Sequence, residues 1–297
     1  MQARPRAMKR ILVGTAFSRP ATGAVVRAAM LAAEHGARLE IVHVAARLDR
    51  ALLRRLGVGG ALGAAAAERI EEQLARACAL ALAQGVTSAV KLLRGGAPTM
   101  LAREVARSSA DLVVLGGRGE HPLRDALVGT TAERVAERWT GDTLIVRGAA
   151  RGPYGAILAC VALAPASGAV VMSAAALSAR ARLHVLHAYE APFEGTLLAH
   201  HVDGATLARH RAAAAGEAVR GLTELVRRCP VPRERHLERH VRHGEPAAVI
   251  AGIAARYGVD VIVIGKNQSR LEEFFLGSVT RKILRAVRTD VLISEAR

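Results

Sequence analysis

The chain has 297 residues, a formal net charge of +16 and a hydrophobic fraction of 51%. That is enough for two domains of ordinary size, each with a core of its own. Aromatic residues make up only 3%, which excludes a base-stacking surface for single-stranded nucleic acid. The charge comes from 38 Arg against 4 Lys, scattered rather than gathered in a block, so it predicts no specific nucleic-acid partner.

In chain order, Arg10–Ser18 begins as an apolar strand and leads into an Ala-rich helix. The preceding basic segment is followed by too short an apolar run for a signal peptide. Met8 reads as an alternative start, with residues 1–7 as a lead. A second strand, Arg38–Val44, is followed by a variable loop and a helix over about Ala64–Gln84. A third strand lies near Ser88–Leu93. Gly96-Ala-Pro98 then starts a helix, because proline suits the first helical turn.

Asp111–Arg147 organises this half: DLVVLGGRGEHPLRDALVGTTAERVAERWTGDTLIVR. Leu112–Leu115 is an unbroken apolar run, as in a parallel strand covered on both faces. Glycines follow at once in the spacing Gly116-x-x-Gly119-x9-Gly129-Thr130, and a helix is predicted over Thr131–Arg138. Glycine lets a ligand approach the backbone closely. A helix N-terminus supplies free N–H groups and a positive dipole end for phosphate, with Thr130 and Thr131 as hydroxyl donors. The segment reads as a phosphate cradle at the carboxyl end of a parallel strand. Arg118 sits between two of the glycines and has the reach for a terminal phosphate. Trp139 is expected to pack where the helix ends. Asp142–Arg147 is the last strand.

The pattern then repeats. Ala156–Ala164 matches Arg10–Ser18, Arg182–Ala188 matches Arg38–Val44, and a helix over about Ala205–Arg228 matches the first long helix. A third strand is predicted over Arg235–Arg242. Gly244-Glu-Pro246 is aligned with Gly96-Ala-Pro98, Asp260–Gly265 with Asp111–Gly116, and Asp290–Ser294 with Asp142–Arg147. Each half is β-α-β-α-β-α-β-α-β, which implies a parallel sheet with helices on both faces. The predicted division is 1–150 and 151–297. Gly152–Ala179 carries no charge and is long enough to span a bilayer. Its counterpart in the first half carries Arg10, Arg19 and Arg27, so a strand, a turn and a buried helix are expected instead.

The second half does not keep the cradle. Gly265, Gly277 and Ser278 remain, but the second glycine is missing, Gln268 stands near its place, and the loop is one residue short. Glu272 and Glu273 add repulsion there, Lys266 offers a compensating charge, and Phe274, Phe275 and Leu276 read as packing residues.

The Gly-x-x-Gly-x9-Gly-Thr stretch resembles the nucleotide-binding signature of the universal stress protein family, and the repeat resembles that family's tandem members over nearly the whole chain. The resemblance implies two doubly wound five-stranded α/β domains of the adenine-nucleotide alpha-hydrolase type. It also implies pairing of the domains as an intramolecular pseudo-dimer, with a homodimer of chains left open. It implies ATP or a related adenine nucleotide, with or without Mg²⁺, held in the first half by Gly116, Arg118, Gly119, Gly129, Thr130 and Thr131. Gly265, Gly277 and Ser278 are the weaker set of the second half. In nucleotide-binding members the first strand ends in an Asp that accepts hydrogen bonds from the nucleoside. Ala16 stands there in this chain and Ala162 in the second half, a loss worth about ten- to hundredfold in affinity. Thr15, or the backbone beyond Val44, is the expected substitute.

Other chemistry is poorly supported. There is no Walker, GxSxG or HExxH motif. Asp125 is the one loop residue with a case for orienting a water, so the expectation is a binder rather than an enzyme. Cys78, Cys160 and Cys229 are far apart, which fits a reducing cytoplasm. The histidines of the second half include His184, His187, His200, His201, His210, His236, His240 and His243. His236 and His240 fit one strand face, but no familiar metal spacing appears, so no metal site is expected. The loop Tyr189–Asp203 reads as a partner-contact or lid segment. A stress-response role with an unidentified protein partner, and no membrane, completes the expectation.

Overall fold

In a computed structural model the described residues are 8–46, 59–117, 130–232, 234–266 and 276–295. The chain divides into two compact units, Met8–Pro153 and the part from Tyr154 onward.

The first domain comprises β1 (Arg10–Thr15), α1 (Arg19–His35), β2 (Arg38–Ala45), α2 (Gly59–Leu82), β3 (Ser88–Arg94), α3 (Ala97–Ser108), β4 (Leu112–Gly116), α4 (Thr130–Arg138) and β5 (Asp142–Val146). Its strands are all parallel, in the order β3-β2-β1-β4-β5. Ile11, Leu12 and Val13 of β1 and Leu112, Val113 and Val114 of β4 are wholly buried. Apolar residues at consecutive positions are the mark of a strand covered on both faces. Edge strand β3 has only half-buried and exposed positions, and its Lys91 and Arg94 deter further strand addition.

Local chemistry sets the helix ends. The Ser18 side chain caps α1 by accepting from the Ala21 N–H, and Pro20 sits in its first turn. Gly36 ends α1 at φ 62°, the left-handed conformation glycine adopts without a Cβ penalty. Trp139 is buried just beyond α4. The Asp111 carboxylate accepts from the N–H groups of Lys9 and Arg10, tying the start of β4 to that of β1.

The second domain comprises β6 (Ala156–Cys160), α5 (Ser167–Leu177), β7 (Arg182–Tyr189), α6 (Glu194–Ala199), α7 (Gly204–Arg228), β8 (Leu237–His243), α8 (Pro246–Arg256), β9 (Val261–Gly265), α9 (Ser278–Ala286) and β10 (Asp290–Ser294). Its parallel order is β8-β7-β6-β9-β10, the same path as in the first domain. Asp260 repeats the role of Asp111 by accepting from Gly155 and Ala156. The uncharged segment 152–179 is indeed a strand, a turn and a helix. Among the described residues no helix is long and apolar enough to cross a membrane.

One alignment made from the sequence is shifted by a residue. Gly95 and Gly244 both have strongly positive φ (143° and 132°). Their N–H groups donate to Ala45 O and Tyr189 O, the ends of equivalent strands. Gly95 therefore corresponds to Gly244, and Gly96 to the N-cap Glu245, whose carboxylate accepts from the Ala248 N–H. The Gly–Pro spacing suggested the other register, because Pro98 and Pro246 both lie in a first helical turn but at different positions. The loop 189–203 is also more structured than expected, since it contains α6. Glu194 of α6 pairs with Arg211 and, at 2.7 Å, with His243.

Candidate functional site

In both sheets the strand order reverses beside the first strand of the domain, between β1 and β4 and between β6 and β9. The crevice beyond the carboxyl ends at such a switch point is where ligands of open α/β sheets bind. Each domain has a cleft there.

In the first domain, Thr15 and Ala16 at the end of β1, Val44 of β2, Gly116 at the end of β4, and Thr131 and Ala132 of α4 line one cleft of about 170 Å³. Five of the residues picked from the sequence are thus brought together: Thr15, Ala16, Val44, Gly116 and Thr131. Thr130 opens α4, while Arg118, Gly119 and Gly129, with Asp125, lie outside the described residues. The Thr15 hydroxyl accepts from the Phe17 N–H at 3.1 Å, and the Thr15 carbonyl is 2.8 Å from His43 Nδ1. Phe17, at φ 61°, packs against His43 with centroids 4.2 Å apart and the rings tilted by 31°. The turn after β1 is therefore fixed by backbone and ring contacts, and Ala16 is left exposed.

Gly116 is required by its neighbours. A Cβ there would lie 2.9 Å from Pro20 C and Ala21 N, inside the first turn of α1. Gly14 explains why the cleft is shallow. A Cβ on it would lie 2.7 Å from a Leu115 methyl and 2.9 Å from a Leu101 methyl, so these two leucines occupy the floor.

In the second domain the equivalent cleft measures about 420 Å³, within the range of small-molecule sites. Gly265, Gly277 and Ser278 line it, together with Cys160, Pro246, Ile250 and Lys266. Cys160 stands where the first domain has Gly14, and burial pushes its thiol pKa well up, so it is a neutral wall. Val161 replaces Thr15, but its carbonyl keeps the contact, 2.9 Å from His187 Nδ1. Leu163 repeats the positive φ of Phe17 at 56°. Gly277 caps α9 without a side-chain hydrogen bond, so the first N–H groups of the helix face the cleft without a capping side chain. The chain leaves both loops' first strands in the same way: Gly117 N–H donates to Val146 O and Lys266 N–H to Ser294 O. Lys266 is less available than expected. Its ammonium is 4.0 Å from the Glu295 carboxylate and its side chain is 9% exposed. Leu276 is buried, as expected, while Gln268, Glu272, Glu273, Phe274 and Phe275 lie outside the described residues. The larger cleft was not legible in the sequence, because cleft depth depends on which side chains of neighbouring elements lean over the end of the first strand.

The universal stress protein family model matches twice, over residues 8–147 and 153–294. The chain belongs to the universal stress protein family. Its two universal stress domains follow each other in tandem. No curated protein sequence matches the chain. A putative universal stress protein from Pseudomonas aeruginosa UCBPP-PA14 is 20% identical over 97% of this chain and 93% of its own, at TM-score 0.61. A universal stress protein from Archaeoglobus fulgidus DSM 4304 is 15% identical over 97% of this chain and 98% of its own, at TM-score 0.66. At these identities the likeness is one of fold. A universal stress protein solved in complex with cAMP is 27% identical over 48% of this chain and 98% of its own, at TM-score 0.37.

Proposed function

We propose that this chain binds ATP or a related adenine nucleotide, with Mg²⁺ as companion ion, in its first domain, and acts by binding rather than by turnover. The observation that carries the reading is the placement of the glycine spacing. Gly116 ends β4 at the switch point, Thr130 starts α4, and the segment between them holds Gly119 and Gly129. A strand end and a helix N-terminus joined by such a segment offer backbone N–H groups to phosphate. Thr15 and Val44 border the same cleft and are the candidates for the nucleoside side, where Ala16 has no acceptor. Nucleotide bound there would change the surface read by a protein partner in the cytoplasm.

A second reading is a nucleotide-free interaction protein. Ala16 and Ala162, both exposed at equivalent strand ends, favour it. Calorimetric titration of Mg·ATP, at salt high enough to screen a +16 surface, separates the two. The expected result is a stoichiometry near one that is abolished by Gly119→Asp. A stoichiometry near two would bring the larger second cleft into use. No saturable heat, or heat indifferent to Gly119→Asp, would leave the interaction protein. Labelled ATP should come back unhydrolysed.

A further inference from the structure

Away from both clefts, toward the amino ends of the strands, β7 and β8 hold a cluster with chemistry of its own. The parallel register places His184 opposite Glu238, with His240 two residues further along β8. Alternation along a strand puts Glu238 and His240 on one face. His184 is 1% and His240 5% exposed, and both rings lie against Tyr257 after α8, at 5.0 and 4.8 Å between centroids. Glu238 is half-buried and leaves a path to solvent.

Three atoms converge. His184 Nδ1 is 3.1 Å from His240 Nε2. Glu238 Oε2 is 3.6 Å from the first and 3.8 Å from the second. One hydrogen bond between the rings accounts for the shortest distance only, since the carboxylate oxygen lies beyond hydrogen-bond reach of either nitrogen. A triangle with these sides has a circumscribed radius of about 2.0 Å, which is the bond length of zinc to imidazole nitrogen and to carboxylate oxygen. We propose that His184, Glu238 and His240 form a site for a divalent transition ion of the zinc class, with water completing the coordination on the Glu238 side.

The surroundings fit that chemistry. Two imidazoles and one carboxylate suit zinc and its neighbours and not Mg²⁺ or Ca²⁺, which take oxygen ligands. An ion between the rings would take the place of the one proton that the facing nitrogens His184 Nδ1 and His240 Nε2 share, which leaves each a lone pair for ligation. The other oxygen of Glu238 is 2.9 Å from His236 Nε2, an outer contact that holds the carboxylate in place. Arg182, Arg242 and Arg256 are near enough to oppose a cation, and Glu238 offsets them. Among the described residues this is the one group of His, Cys and carboxylate ligands that converges so closely. The expectation of no metal site, drawn from spacing along the chain, could not register it, because the ligands come from adjacent strands.

The test uses the tag-free full chain, stripped with a chelator. Zn²⁺ is titrated in competition with a chromophoric chelator, and Co²⁺ absorption reports the coordination. One ion per chain is expected, with affinity falling at least tenfold in Glu238→Gln, which keeps shape at a half-exposed position, and about tenfold in His236→Ala. His243→Ala, whose ring contacts Glu194 instead, should bind as the unaltered chain does. Zn²⁺ should raise the melting temperature of the unaltered protein by clearly more than that of Glu238→Gln at the same free ion concentration. No bound ion, or equal affinity in the unaltered protein and Glu238→Gln, would overturn the site and leave a hydrogen-bonded histidine pair.

Discussion

The two domains share one strand order and one register, yet they fill the same strand face in opposite ways. In the first domain the positions of His184, Glu238 and His240 are occupied by Glu40, Ala89 and Lys91. There Lys91 reaches Glu104 of α3 at 2.6 Å, and Glu104 is 6% exposed. In the second domain the helix position equivalent to Glu104 is Ile253, which is buried and apolar. The helix carboxylate is lost, the strand carboxylate stands on β8 instead of β2, and the lysine becomes a histidine. One domain thus closes the face with an ion pair that crosses from strand to helix. The other leaves a carboxylate beside two neutral imidazoles, a combination free to take up a cation. Duplicated folds keep the backbone and diverge where side chains meet across it.

Breaking the ion pair should produce the largest effect. Lys91→Met leaves Glu104 as a buried carboxylate without its lysine. Such losses cost about 3–5 kcal/mol, and the 40% exposure of Lys91 brings the expectation to about 2–3 kcal/mol, read by chemical denaturation. Adding Glu104→Leu, which copies the apolar second domain, should restore most of the loss. A change below about 0.5 kcal/mol in Lys91→Met would mean that the pair is ornamental and the contrast between the faces is one of sequence only.

The floors of the clefts give the next test. Gly116→Ala puts a Cβ 2.9 Å from backbone atoms of Pro20 and Ala21, which have nowhere to move without shifting α1. Gly265→Ala meets a Val170 methyl at 3.0 Å, a side chain able to yield. Overpacking of the first kind costs about 1–3 kcal/mol, and the second should fall below about 1 kcal/mol. Equal melting temperatures for the two variants would show that α1 and α5 approach their sheets with the same tolerance.

How much of this was legible follows from where the determinants lie. The repeat, the parallel strands and the helix starts were readable because runs such as Leu112–Leu115 and Val261–Ile264 and the glycines after them act locally. So was the strand, turn and helix of 152–179, once Arg10, Arg19 and Arg27 were seen at the equivalent places. The Gly95–Gly244 equivalence was not, because it rests on φ and on hydrogen bonds to strand ends rather than on the nearby prolines. Nor was the shallowness of the first cleft beside the second, since it depends on Leu101 and Leu115 leaning over Gly14, a contact between three elements. The histidine cluster required the β7–β8 register, which places residues 54 and 56 positions apart within a few ångströms.

The smallest expected effect is a pH dependence that belongs to the second domain's strand face. His184 and His240 both have folded-state pKa values below the ordinary 6.5, burial being the main cause. Arg182 and His236 add to this for His184, and His184, Arg242 and Arg256 for His240, while Glu238 acts against it in both. The unfolded chain therefore takes up protons first as pH falls. Stability from these two rings is full above the ordinary histidine range and is lost as pH drops from 6.5 through their lowered values. With chelator present, the melting temperature should fall between pH 7.5 and 5.5, and His240→Gln should flatten that slope by removing one titrating ring. Adding Zn²⁺ should steepen it, because an ion held by neutral imidazoles must be displaced before they can protonate. A slope unchanged by both the substitution and the ion would place the pH dependence elsewhere and return the second strand face to the same inert role as the first.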